Sequence, residues 1–147
     1  MDDDEIRGTM DPALSDDHFE NVKGIHSAPF SRANGIDVVS VKEDEVITKM
    51  SLTDDKKNSL GLAHGAVVFA VADDAFAVAA NLKEEQIALS CSIVYHKPGV
   101  GNELTAVASK LNETNSVSTY SVKVYCDGKH IATATFIGFK TRNRKKN

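Results

Sequence analysis

Hydropathy along the chain peaks in one stretch and changes period after it. From Gly65 to Ala80 every residue is apolar or small except the adjacent carboxylates Asp73 and Asp74. A helix that is apolar on all sides must be buried. This one is too short and too acidic to span a bilayer, which takes about 20 predominantly apolar residues. Its seven alanines favour a helix and allow a sheet to approach closely. Upstream, Leu14, Phe19, Val22 and Ile25 share one side of a short helix, capped by Ser15 or Asp16 and ending before Pro29. Residues 31–35 read as a turn, and 36–41 and 45–52 as two strands joined by an acidic turn.

After Gln86 the pattern alternates. Strands are predicted over 87–96, 104–110, 117–126 and 129–139, with turns at 97–101, 112–115 and Asp127-Gly128. One buried helix followed by four strands on short turns predicts an α+β domain, an antiparallel sheet with a helix on one face. Residues 1–11, polar and acidic, are expected to be frayed and disordered. Residues 12–140 form a single domain, and 141–147 a solvated basic tail.

Composition narrows the classes. A chain of 147 residues fits one domain. A net charge of −4 gives no argument for nucleic-acid binding. The opening MDDDE lacks the basic and apolar segments of a leader, and Cys91 and Cys126 show no CxxC spacing. A cytoplasmic protein with reduced thiols is expected. The five histidines have no metal-ligand spacing, so no metal is expected, and no G-x-S-x-G, Walker A or Rossmann pattern occurs. Cys91, in an apolar strand, reads as packing rather than nucleophile.

Chemistry concentrates on the central helix. His64-Gly65-Ala66 sits at its entrance, where the first N–H groups lack intrahelical partners and the dipole favours an anion. That is the geometry of an oxyanion hole, or of a plain loop-to-helix junction. Asp73 lies about 12 Å further along the axis, too far to act on the same atom. A second copy of the chain could bring its Asp73 to the first copy's Gly65, which predicts a site at a dimer interface. Asp73 and Asp74 diverge by about 100° around the helix, and nothing in the spacing chooses between them.

Asn58, His64-Gly65, the run Val71-Ala72-Asp73-Asp74-Ala75-Phe76-Ala77 and Asn81 resemble the hotdog-fold thioesterases. Within them, the phenylacetate-pathway (PaaI-like) acyl-CoA branch is the nearest in pattern. Ser90-Cys-Ser-Ile-Val-Tyr-His-Lys-Pro-Gly99 and Asn102-Glu-Leu-Thr-Ala106 resemble the same branch, and the likeness runs over residues 30–139. The resemblance implies a hotdog fold, an antiparallel sheet wrapped around one long helix, in homodimers or homotetramers. It implies hydrolysis of a small or aromatic acyl-CoA without a metal, redox cofactor, nucleic acid or membrane partner. Asp73 would be the catalytic carboxylate, as general base or nucleophile. Gly65 of the other subunit would polarise the thioester carbonyl, and Asn58 would position substrate or water. His64 and Ala66 would shape the pocket and Lys97 would meet a phosphate. Ala66 stands where the family has a second glycine, Lys97 where it often has arginine, and 115–119 lacks a basic residue often found there. A non-catalytic acyl-CoA sensor and a dehydratase of hydroxyacyl thioesters are the alternatives on this fold.

Overall fold

A computed structural model describes residues 1–142. Six strands form one antiparallel sheet in the order β1-β2-β4-β5-β6-β3, with β1 Asp37–Val41, β2 Glu45–Ser51, β3 Gln86–Tyr95, β4 Glu103–Glu113, β5 Val117–Cys126 and β6 Lys129–Lys140. The long helix, α4 (Gly65–Ala80), lies over β2, β4 and β5. Chain order explains the topology: β4, β5 and β6 form a meander, and β3 crosses to the far side of it to pair with β6. Asp127 and Gly128 both take positive φ, at 46° and 83°, as a two-residue hairpin turn requires.

Small residues set the helix–sheet distance. Val71, Ala72 and Ala75 of α4 pack on Ala106, Ala108, Ala132 and Ala134, all fully buried. Phe76 fills the space they leave, stacked on Phe136 at 4.7 Å and edge-on to Tyr120 at 5.6 Å. The Thr48 hydroxyl donates to the Val71 carbonyl at 3.0 Å, tying β2 to the middle of the helix. At Gly138 a Cβ would stand 3.2 Å from Phe76 Cζ and 2.7 Å from Gln86 Oε1, so the backbone can approach the ring only without a side chain.

The amino-terminal segment departs from the sequence reading. Residues 3–9 form a helix, α1 (Asp3–Thr9), closed by a capping box between Asp2 and Glu5. Its acids gather in the first turn, where the helix dipole favours them, so they stabilise the helix rather than fray it. Ile6 is buried with Phe19 and Val22 of α2 (Asp16–His26, capped by Ser15) and with Val38, Val41, Val46 and Val78. The Asp11 amide donates to the Val41 carbonyl at 2.8 Å. Residues expected to turn at 31–35 instead begin as a short helix, α3 (Pro29–Ala33), with proline in its first turn. β4 runs three residues past its expected end through a register shift between Lys110 and Asn112. Of the basic tail expected over 141–147, Thr141 is buried and Arg142 pairs with Glu84 at 3.6 Å; the remainder lies outside the described residues.

Ile6→Ala is expected to lower unfolding free energy by about 2–4 kcal/mol in urea titrations, the cost of emptying a core position. A frayed segment would give no change.

Candidate active site

The loop before α4 is folded by its own side chains. Asn58 Oδ1 accepts from the amides of Leu60 (2.9 Å) and Leu62 (3.1 Å), and Gly61 takes φ 75° to complete the turn. The Ala63 amide donates to the Gly99 carbonyl at 2.9 Å, docking the loop on the β3–β4 connection. His64 is the cap: its Nδ1 accepts from the Ala66 amide at 3.0 Å, and its carbonyl accepts from Val67 (3.0 Å) and Val68 (3.2 Å). Of the four N–H groups in this first turn, only that of Gly65 has no partner among the described residues. Gly65 lines a cavity of about 310 Å³, together with Asn58, Leu62, Val68, Tyr95, Lys97 and Ile131, among others.

The structure brings Asn58, Gly65 and Lys97 to this one cavity. His64 and Ala66, expected to shape the pocket, do not line it: both are exposed and hydrogen-bonded to each other as a cap. A histidine at the N-cap folds back on the turn it terminates, and this pattern has no signature apart from that of a pocket histidine. Asn58 Nδ2 has no hydrogen-bond partner among the described residues, while its oxygen holds the loop. Nothing in the sequence pattern marks Tyr95 as a site residue. Its hydroxyl donates to the Gly65 carbonyl at 3.0 Å, a contact that strand alternation does not encode.

The two acids of α4 have different surroundings. Asp74 is buried, and the Ser31 hydroxyl of α3 donates to its Oδ1 at 2.5 Å. Burial pushes its carboxyl up to about 6, against the Ser31 hydrogen bond and with help from the Asp73 charge. Arg32, the next residue of α3, donates to the His26 carbonyl at 2.7 Å and pairs with Asp37 at 3.0 Å, so this corner is a fixed scaffold. Asp73 is half-buried, its carboxylate has no hydrogen-bond partner among the described residues, and burial pushes its pKa up. Its charge reaches Cys91 of β3 and, after burial itself, adds to the upward push on that thiol. Asp73 therefore faces the β3 side of the helix and Asp74 the α3 side. Asp73 is absent from the Gly65 cavity wall, as about 12 Å of helix between them requires. Cys91 packs against the main core, and among the described residues no three histidines, cysteines or acids converge as metal ligands.

Residues 60–133 match the family model described as the thioesterase superfamily. The acyl-coenzyme A thioesterase PaaI of Escherichia coli is 31% identical over 96 residues, 64% of this chain and 69% of that one. The structure of the E. coli PaaI protein superimposes with a TM-score of 0.81 at 26% identity, covering 87% of this chain and 96% of that chain. A variant of the phenylacetic acid degradation protein PaaI from Thermus thermophilus superimposes with a TM-score of 0.73 at 34% identity, covering 76% and 98%.

Asp74 makes stability depend on pH in a defined direction. Its folded value of about 6 lies above the ordinary 3.8, so between these pH values the folded chain holds a proton that the unfolded chain has lost. The stabilising contribution is complete below about pH 4 and is lost as pH rises through 6, amounting to roughly 3 kcal/mol. Asp74→Asn keeps an oxygen acceptor for Ser31 and cannot ionise. Urea titrations from pH 4 to 7 are expected to show a flatter stability profile for the variant than for wild type. Identical slopes would mean that Asp74 does not titrate in this range.

Proposed function

Because the chain belongs to the thioesterase superfamily, we propose that it hydrolyses a small or aromatic acyl-CoA to the free acid and coenzyme A, at a site shared between two copies of the chain. One observation carries this reading. α4 offers an unpartnered amide at Gly65 and an unpartnered, desolvated carboxylate at Asp73, each on its own side of the chain and neither complete alone. The thioester carbonyl accepts from Gly65 N–H of one copy, and Asp73 of the other takes a proton from water as the water oxygen bonds to the carbonyl carbon. The C–S bond then breaks and the thiolate leaves, needing no separate acid because its conjugate thiol is itself acidic. Desolvation makes Asp73 a stronger base than an exposed aspartate. Asn58 Nδ2 points the acyl group or the water, and Lys97 at the cavity wall meets a phosphate of the coenzyme.

The edge strand supports the shared site. Ile87, Leu89, Val94 and Tyr95 of β3 are each more than half exposed, on a ten-residue strand with one side unpaired. Such an edge invites pairing with another strand, and a second copy laid along it would continue the sheet. A homodimer, or a homotetramer built from it, in the cytoplasm is the assembly proposed. The names of the E. coli and T. thermophilus relatives support an acyl-CoA substrate and an aryl acyl group. A dehydratase is less well supported, because its histidine would be His64, whose Nδ1 is engaged in capping.

Thiol release from a panel of short and aryl acyl-CoAs tests the reading. Asp73→Asn is expected to lower kcat by about 10²–10⁴-fold, the range for loss of a general base, and Asp74→Asn by no more than a few-fold. Wild-type activity should decline with falling pH as Asp73 is protonated, with a midpoint above the ordinary aspartate value of 3.8. Binding without turnover in wild type would leave the sensor. For the shared site, inactive Asp73→Asn and inactive Gly65→Val chains are co-refolded: mixed dimers hold one intact site each, restoring about a quarter of wild-type activity on random pairing. No recovery, with mixed dimers present, would place both groups in one chain.

A further inference from the structure

Gly65 N–H is useful as a donor only if its peptide is held still. The His64–Gly65 peptide is anchored at its carbonyl end, which accepts from two amides at 3.0 and 3.2 Å. Hydrogen bonds to that carbonyl also polarise the opposite N–H. The other flank, the Gly65–Ala66 peptide, has its N–H held by His64 Nδ1 at 3.0 Å, and the backbone freedom of glycine makes a second anchor at its carbonyl count. There the Tyr95 hydroxyl donates to the Gly65 carbonyl at 3.0 Å. The ring lies directly against the glycine: a Cβ on Gly65 would stand 3.4 Å from the hydroxyl oxygen and 3.5 Å from Cζ. Tyr95 comes from the end of β3, thirty residues on, and lines the same cavity as Gly65.

We propose that Tyr95 is a positioning residue for the reaction: its hydroxyl locks the Gly65–Ala66 peptide so that Gly65 N–H stays aimed into the cavity. This rests on the reading of Gly65 as the amide that holds the thioester oxygen. The residue touches the donor's own backbone, and its effect falls on the transition state, where charge gathers on that oxygen, more than on ground-state binding. The hydroxyl and the ring have separable roles. The ring is a wall of the cavity and the hydroxyl is the lock.

Tyr95→Phe removes the lock and keeps the wall; Tyr95→Met removes both. kcat and KM are measured with whichever short or aryl acyl-CoA wild type cleaves fastest, alongside the inhibition constant of its non-hydrolysable thioether analogue. Tyr95→Phe is expected to lose about tenfold in kcat, as a small misplacement of a donor does, with KM and thioether affinity within about twofold of wild type. Tyr95→Met should lose at least as much kcat and weaken the thioether as well. A Phe variant with wild-type kcat overturns the proposal, as does one whose thioether affinity falls as far as kcat, which would make the hydroxyl a binding contact. Asp73→Asn in the same assay separates the two readings. If it is inert while Tyr95→Phe matches wild type, only the Tyr95 assignment fails; if Asp73→Asn retains full kcat, the catalytic reading fails and takes the Tyr95 assignment with it.

Discussion

The close seating of α4 on the sheet is the constraint from which the rest follows. Alanines on both surfaces bring helix and strands together, and Phe76 locks the register against Phe136 and Tyr120. Once a helix is enclosed on that side, polar groups on it must be satisfied, exposed at an edge, or left with a shifted protonation equilibrium. α4 meets this at two places: a first turn with one unpartnered amide at its entrance, and two acids at its centre.

Those acids show how packing divides chemically identical side chains. A third of a turn separates them, and α3 happens to dock on the side of Asp74. Ser31 meets it there, with Arg32 holding α3 to the end of α2 and to Asp37 of β1. Asp73 looks the other way, toward β3, and receives no hydrogen bond among the described residues. The same logic operates at the entrance. His64 satisfies Ala66 with its imidazole and both Val67 and Val68 with its carbonyl, which leaves Gly65 as the one donor of the turn without a partner among the described residues. An amide and a carboxylate are each left unengaged on one rigid rod.

Rigidity also keeps Gly65 and Asp73 of one chain apart. A helix fixes the separation of Gly65 from Asp73, and no side-chain movement closes about 12 Å. β3 presents an apolar strand with one free side next to both regions, since Tyr95 contacts Gly65 at one end and Cys91 lies near Asp73 further back. Under the proposed reading, a site shared between two copies would use one helix twice.

The sequence by itself determined the central helix, since an all-apolar alanine-rich run has no other stable fate, and it determined the strands after Gln86 and the Asp127-Gly128 turn. It also brought out the distance that separates amide from acid, because helical rise is a property of the backbone alone. These are local periodicities, legible without knowing what packs on what. Tertiary structure decided the rest. Acids in residues 2–5 look like a solvated tail until Ile6 is seen to fill a pocket made by α2, β1 and α4. Which of two adjacent aspartates is held depends on a serine forty-three positions away, and the lock on Gly65 on a tyrosine thirty positions away. Contacts over such separations are set by how elements dock, and the residues involved carry no mark of it in their own neighbourhoods.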